Sequence, residues 1–171
     1  MSRSRGRAAA VALLLACCAP AVGGAAEPAV ARDQHGRSHT WLGPTGQLTL
    51  LEFAASWCAP CRQTLPRLEA FAREHPDLRV LAVSVDERRE GRDELVGTLG
   101  LTLPMLWDEG HRIAGHYQPR AMPAAFLISP AGEVLHVAGG SRGDDWEGLV
   151  RRVEQELTRG GGAGTAARPR E

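Results

Sequence analysis

The chain has 171 residues, 43% of them hydrophobic, and its 20 acidic residues balance 20 basic residues, all of which are arginine. This length supports one domain with a sizeable core and argues against two such domains. The charges are interspersed and form no long basic run, so the composition argues against a nucleic-acid-binding surface.

The first 26 residues have the pattern of a secretory signal. Three arginines precede a short apolar run (8–16) that ends in small residues, and this run is short for a transmembrane helix. Two processing routes stay open: cleavage after Ala26, or cleavage in the lipobox-like L-L-A-C before a lipid-carrying Cys17. An uncleaved anchor is the third alternative. Each route predicts a protein in the periplasm or on the outer face of the cytoplasmic membrane, where disulfides persist.

The hydrophobic periodicity after the signal predicts alternating strands and helices. In chain order we expect a hairpin (31–47), a buried strand (48–55), a helix from the cysteine motif to about Glu74, a strand (79–86), a charged helix (87–100), an extended segment (101–108), a short helix (110–117), two antiparallel strands (124–129 and 134–140) and an amphipathic helix (144–157). This order predicts a small α/β fold with mixed strand directions. We assign one domain to residues 27–158 and expect the glycine-rich tail, 159–171, to be disordered because it lacks apolar residues.

The stretch S-W-C-A-P-C-R-Q-T-L-P (56–66) holds the only two cysteines of the predicted domain. If Cys58 lies where a buried strand ends and a helix starts, the positive helix end favours its thiolate. Cys61 then lies one turn later on the same face, so a disulfide can close without moving the backbone. Pro60 falls in the first turn, where a missing N–H is harmless. An exposed attacking thiol, Cys58, and a shielded resolving thiol, Cys61, are what thiol–disulfide exchange requires.

Other uses of the cysteine pair fit the sequence less well. A static disulfide that closes so short a loop stabilises a fold only weakly. A zinc site would need histidine ligands such as His111 and His116, which lack a clear ligand spacing. Covalent haem attachment would need histidine directly after the second cysteine, where Arg62 stands. The sequence therefore predicts no metal and no other cofactor.

The motif W-C-A-P-C, followed five residues later by Pro66, resembles a thioredoxin-fold active site. Together with the signal, the long segment 87–119 and the stretch M-P-A-A-F-L-I, the chain resembles the extracytoplasmic TlpA/ResA-like thioredoxins over about residues 45–158. The resemblance implies a thioredoxin fold, which is a central mixed sheet flanked by helices. It also implies an insert between the second strand and the strand that follows a cis-proline.

The resemblance further assigns a substrate-binding surface. Met122-Pro123 would be the cis-proline loop that lies against the two cysteines and docks the extended chain of the substrate. A proline just before a strand is also where a cis bond is tolerated and sheet pairing has not begun, although an ordinary trans turn is the alternative. Trp57 and Pro60 complete the predicted surface.

Two positions depart from the family pattern. Family reductants often carry glutamate three residues after the second cysteine, where this chain has Thr64. Conversely, Glu52 occupies the strand position where cytoplasmic thioredoxins place a buried acid. Our hypothesis is that Glu52 is a catalytic residue with a raised pKa that exchanges a proton with Cys61 as the mixed disulfide resolves. The alternative is that Glu52 reaches solvent or an arginine at the strand end.

These features predict a monomeric thiol–disulfide oxidoreductase of the cell envelope. The resemblance favours reduction of disulfides in exported proteins such as apocytochrome c or copper-site proteins, with electrons from a membrane dithiol donor. The dipeptide between the cysteines does not determine the direction of electron flow. An oxidase or isomerase of secreted proteins therefore stays open, as do a redox-inert domain and a copper chaperone that uses the cysteines with a distal histidine.

Overall fold

The centre of the fold is a five-stranded sheet in the order β5-β4-β3-β6-β7. In the computed structural model, which describes residues 29–139 and 143–164, the elements in chain order are β1 (Val30–Arg32), β2 (Ser38–Thr40), β3 (Thr49–Ala54), α1 (Cys61–Glu74), β4 (Arg79–Ser84), α2 (Arg89–Leu99), β5 (Met105–Trp107), a 3-10 turn (Glu109–His111), α3 (Arg112–Tyr117), β6 (Ala124–Ile128), β7 (Val134–Gly139) and α4 (Gly143–Gly164). The predicted signal, including Cys17, lies outside the described residues. Among the helices that the structure does describe, none combines the length and the hydrophobicity that a membrane span needs.

The sheet has mixed strand directions, as the sequence predicts. β3 pairs in parallel with β4 and antiparallel with β6, while β5 joins β4 in parallel and β7 joins β6 antiparallel. All residues of β3 are buried because this strand is central and covered on both faces.

Two apolar clusters cover the two faces of the sheet. Leu50 and Ala54 of β3 point into a cluster with the buried side chains of α1 and α4, among them Leu65, Leu68, Leu149 and Val153. Leu51 and Phe53 point into the other cluster, which contains Ile113 and Tyr117 of α3. This alternation follows from the two-residue period of a strand. The predicted apolar face of the last helix is confirmed by the burial of Leu149 and Val153.

The helix that carries the cysteine motif starts later than the sequence predicts. α1 begins at Cys61, Pro60 caps it, and Cys58 lies in the turn that joins β3 to α1. The Cys58 N–H donates to the Ala55 carbonyl at 3.0 Å, and the Cys61 N–H donates to the Cys58 carbonyl at 3.1 Å. These two turns change the direction of the chain between β3 and α1. Proline suits the cap because the first N–H groups of a helix lack intrahelical partners.

The last helix extends beyond the predicted domain boundary at residue 158. α4 reaches Gly164, and near its end the Thr158 hydroxyl donates to the Glu154 carbonyl and Arg159 pairs with Glu156. The rest of the predicted disordered tail, 165–171, lies outside the described residues.

The segment between β4 and β6, where the insert is predicted, contains α2, β5 and α3. β5 forms one edge of the sheet, and the Gln34 side chain of the β1–β2 hairpin is hydrogen-bonded to it. The Gln34 amide donates to the Leu103 carbonyl at 2.9 Å and accepts from the Met105 N–H at 2.8 Å. The predicted N-terminal hairpin is therefore present and is tied to the sheet edge.

Candidate active site

Cys58 and Cys61 are joined by a disulfide, with an S–S distance of 2.02 Å. They lie at the carboxyl end of β3, where the chain turns into α1. The Cys61 backbone N–H points at the Cys58 sulfur, at an N–S distance of 3.2 Å. Because an N–H donor stabilises negative charge on sulfur, this contact favours the Cys58 thiolate once the disulfide opens.

The two cysteines are both buried. Cys58 is 4% exposed and Cys61 is fully buried. The prediction of an exposed Cys58 is therefore wrong for the disulfide-bonded protein, in which this residue packs in the same apolar cluster as Cys61. Cys61 is shielded, as predicted, and Cys58 is the more accessible of the two.

The predicted substrate-binding side chains on the motif differ in exposure. Trp57 is 69% exposed, although it is a large apolar side chain next to a buried cysteine. Pro60 is half-buried at the helix cap. An exposed aromatic beside a reactive group is a candidate contact surface for a partner. The substrate-binding role of both residues stays a prediction.

The Met122-Pro123 peptide is cis, as the resemblance implies. Ala124, the next residue, begins β6 and pairs with Phe53 of β3. Because β6 runs antiparallel to β3, the cis-proline loop lies at the same end of the sheet as the cysteine turn. Pro123 is buried, and the half-buried Met122 packs against the cluster that contains both cysteines.

Glu52 lies in the middle of β3 and is 3% exposed. Its cross-strand partners are Ala82 and Ala125, whose small side chains leave room for a carboxyl group in the sheet. Thr64 of α1 donates a hydrogen bond to Glu52 Oε1 at 2.7 Å. Burial raises the pKa of Glu52 to about 7, and the Thr64 hydrogen bond opposes this rise. Glu52 therefore does not reach solvent, and its role in proton transfer stays a prediction.

The sequence pattern did not single out Asp86, which holds the loop before the cysteines. Its carboxylate accepts hydrogen bonds from the Ser56 hydroxyl at 2.7 Å and the Ser84 hydroxyl at 2.8 Å, and the Ser56 N–H lies 3.0 Å from Oδ2. Gly91 of α2 packs on this carboxylate so closely that a Cβ there would lie 2.4 Å from Asp86 Cγ. The signal in the sequence was an acid directly after a buried strand, which is where α/β sheets place polar groups of a site.

Arg62 also supports this loop. Its guanidinium donates to the Ser56 carbonyl at 2.9 Å and pairs with Glu94 of α2 at 2.6 Å. The residue after the second cysteine thus ties the cysteine turn to α2. The loop before Cys58 is held at Ser56 from two sides, by Asp86 and by Arg62.

The two histidines considered as metal ligands have other contacts. His116 packs edge-on against Trp41 and Tyr117, and His111 lies 3.3 Å from Glu87. Within residues 29–139 and 143–164, no group of three or more His, Cys, Asp and Glu side chains is arranged to hold a metal ion.

Known proteins share both the sequence pattern and the fold. The AhpC/TSA family matches residues 22–137, a range that contains the cysteine motif, Glu52 and the cis-proline loop. The chain is 29% identical over 125 residues to the thiol-disulfide oxidoreductase ResA of Geobacillus thermodenitrificans, which covers 72% of each chain. It is 30% identical over 94 residues to the sporulation thiol-disulfide oxidoreductase A of Bacillus subtilis, covering 52% of this chain and 57% of that protein.

The crystal structure of StoA from Bacillus subtilis superposes on the chain with a TM-score of 0.60 and 25% sequence identity, covering 67% of this chain and 90% of that one. The predicted thioredoxin fold and the predicted resemblance to ResA-like proteins are confirmed by these matches.

Proposed function

The chain belongs to the AhpC/TSA family and is a thiol–disulfide oxidoreductase of the ResA/StoA type, and we propose that it reduces disulfides in exported proteins at the cell envelope. The observation that carries this proposal is the Cys58–Cys61 disulfide at the turn between β3 and α1, together with the buried residue Glu52 in β3 itself. A redox pair that follows a strand with a buried acid has the parts that a disulfide exchange with proton transfer needs.

The proposed reaction begins from the reduced protein. The Cys58 thiolate attacks one sulfur of a substrate disulfide and releases the other substrate sulfur as a thiolate. Cys61 then loses its proton to Glu52 and attacks the Cys58 sulfur, so that the mixed disulfide breaks and the second substrate sulfur leaves. Two electrons pass to the substrate, and the Cys58–Cys61 disulfide forms. Trp57, Pro60, Met122 and Pro123 would hold the extended substrate chain beside Cys58.

The substrates proposed are exported proteins that need free thiols, such as apocytochrome c or copper-site proteins. The disulfide must then be reduced again by a dithiol donor in the membrane. Support for this location is the signal pattern of residues 1–26, whose cleavage after Ala26 or lipidation at Cys17 would release or tether the domain outside the cytoplasm. We propose that the protein acts as a monomer.

The reduction potential of the Cys58–Cys61 pair tests the direction of electron flow. Equilibration of the purified protein in thiol buffers, with the Cys58→Ser variant as the blank, should give about −270 mV or lower, as for thioredoxin. A potential above about −150 mV would make the protein an oxidant of secreted proteins and would overturn the reductive proposal. A pair that shows no exchange with thiol buffers would contradict both.

A further inference from the structure

We propose that Thr64 is a positioning residue for the exchange reaction: its hydroxyl turns between the Glu52 carboxylate and the Cys61 carbonyl, so that buried Glu52 can both accept and release a proton. This inference rests on the proposed function, in which Glu52 exchanges a proton with Cys61. It adds Thr64 to the residues that take part in the exchange reaction. Thr64 carries a hydroxyl group and stands three residues after Cys61.

The hydroxyl of Thr64 lies between two acceptors. Its Oγ1 is 2.7 Å from Glu52 Oε1 and 3.3 Å from the Cys61 carbonyl oxygen. A hydroxyl has one proton to donate and can accept with its lone pairs. It can therefore serve only one of these acceptors as a donor at any moment.

The two protonation states of Glu52 use this hydroxyl differently. When Glu52 is ionised, Thr64 donates to the carboxylate at the shorter of the two distances. When Glu52 is protonated, its O–H can donate to Thr64 Oγ1, and the Thr64 proton then turns to the Cys61 carbonyl. Oε1 of Glu52 is hydrogen-bonded in both states, so neither state leaves this buried oxygen unsatisfied, which would cost more free energy than the hydrogen bond itself contributes.

Glu52 has few polar neighbours besides Thr64. Its cross-strand partners on β4 and β6 are alanines, and among the described residues Thr64 is the side chain to which Glu52 is hydrogen-bonded. Several ionisable groups on the elements packed around it bind other residues. Asp86 binds Ser56 and Ser84, Glu69 binds Thr102, and Arg62 binds Ser56 and Glu94. Arg79 binds Thr40 and Thr49, Arg92 binds Asp93, and Arg152 pairs with Glu156. The cysteines are joined to each other. Burial and the Thr64 hydroxyl are thus the two influences on the Glu52 pKa, which lies near 7.

The proposed resolving step moves one proton and exchanges one disulfide bond for another. The Cys61 S–H bond breaks, the proton goes to the Glu52 carboxylate, and the Cys61 sulfur bonds to the Cys58 sulfur. The bond between Cys58 and the substrate breaks, and the substrate sulfur leaves with the electron pair as a thiolate. Thr64 turns its proton to the Cys61 carbonyl as Glu52 becomes protonated. The reverse turn accompanies release of that proton.

The test compares two substitutions of Thr64 in the full chain. Thr64→Val keeps the shape and removes the hydroxyl, whereas Thr64→Ser keeps the hydroxyl. Loss of a donor to the carboxylate destabilises the ionised form, so the pKa of Glu52 should rise by about one unit in the valine variant. Infrared titration of the carboxyl band in the oxidised protein measures this shift without catalysis, and Glu52→Gln identifies the band.

The second readout is the pH dependence of the resolving step, measured as release of a peptide from its mixed disulfide with Cys58. The valine variant should move the acidic limb of this profile upward by about one pH unit, so the rate below the midpoint falls roughly tenfold. The serine variant should restore both readouts. Thr158→Val is the matched control, because that exposed threonine also donates to a carbonyl of its own helix and should leave both unchanged.

An infrared titration that is the same in wild type and Thr64→Val would overturn the inference, as would a serine variant that behaves like valine. Failure of the proposed function looks different. If Thr64→Val shifts the carboxyl titration while Glu52→Gln leaves the rate profile unchanged, the hydrogen-bond switch is supported and Glu52 is removed from the resolving step.

Discussion

The Asp86 carboxylate binds Ser56 through both the backbone N–H and the hydroxyl of that residue, in the loop that leads to Cys58. Asp86→Ala should therefore unfold more easily, because it leaves these donors and the Ser84 hydroxyl without their acceptor. We expect a loss of about 2–4 kcal/mol in the free energy of unfolding. Urea unfolding of the oxidised protein measures this loss. Asp77→Ala, an exposed acid, should change it by less than about 0.5 kcal/mol, and equal effects of the two variants would contradict the role given to Asp86.

Gly91→Ala tests how closely α2 packs on the same carboxylate. The added Cβ would lie 2.4 Å from Asp86 Cγ, so α2 or Asp86 must move, at about 1–3 kcal/mol of stability. Gly97→Ala lies in the same helix, where a Cβ meets open space, and should be neutral or stabilising by up to about 1 kcal/mol. Thermal unfolding of both variants measures this difference. Equal stability of Gly91→Ala and Gly97→Ala would contradict the close contact between Gly91 and Asp86.

Glu52 should make the protein less stable as the pH rises from acidic to neutral. Burial raises the pKa of Glu52 from its ordinary 4.5 to about 7, so between these values the folded state holds a proton that the unfolded state has released. Stability must then fall with rising pH across this window, by roughly 3 kcal/mol in total. Glu52→Gln removes this dependence and should be the more stable protein at pH values above about 7.

Urea unfolding of the oxidised protein at a series of pH values measures this effect. The difference between wild type and Glu52→Gln isolates Glu52, because all other titrating groups are common to both proteins. Glu133→Gln, on the exposed turn before β7, is the control and should follow the wild type. A difference between wild type and Glu52→Gln that does not change with pH would show that the carboxyl of Glu52 has an ordinary pKa.

Substitution of Cys58 and substitution of Cys61 should have opposite effects on the amount of mixed disulfide formed with a disulfide substrate. Cys61→Ser keeps the proposed attacking cysteine and removes the one that resolves the intermediate, so a mixed disulfide should accumulate on Cys58. Cys58→Ser leaves the fully buried Cys61 as the single cysteine of the motif, and Cys61 should form at least tenfold less adduct. Peptide mass spectrometry after acid quenching assigns each adduct to its cysteine and measures both. Equal trapping by the two variants would contradict the assignment of Cys58 as the attacking thiol.

The sequence predicted the order of elements and the cysteine chemistry because both depend on local patterns. Alternation in β4 and the apolar face of α4 follow from periodicity along the chain, and W-C-A-P-C is a contiguous motif. The start of α1 was placed too early because the turn at Cys58 depends on backbone hydrogen bonds that no side chain signals. Contacts between distant elements were missed for another reason. The bonds from Ser56 to Asp86 and from Thr64 to Glu52 exist only once the β3–β4 pairing and the packing of α1 are known.

The hydrogen bonds of Gln34 bear on how the sheet can associate with other chains. The side-chain amide occupies the Leu103 carbonyl and the Met105 N–H, which are backbone groups that an incoming strand would need in order to extend the sheet past β5. An incoming strand would therefore have to displace the Gln34 amide before it could pair with β5, so the N-terminal hairpin protects this edge against extension of the sheet.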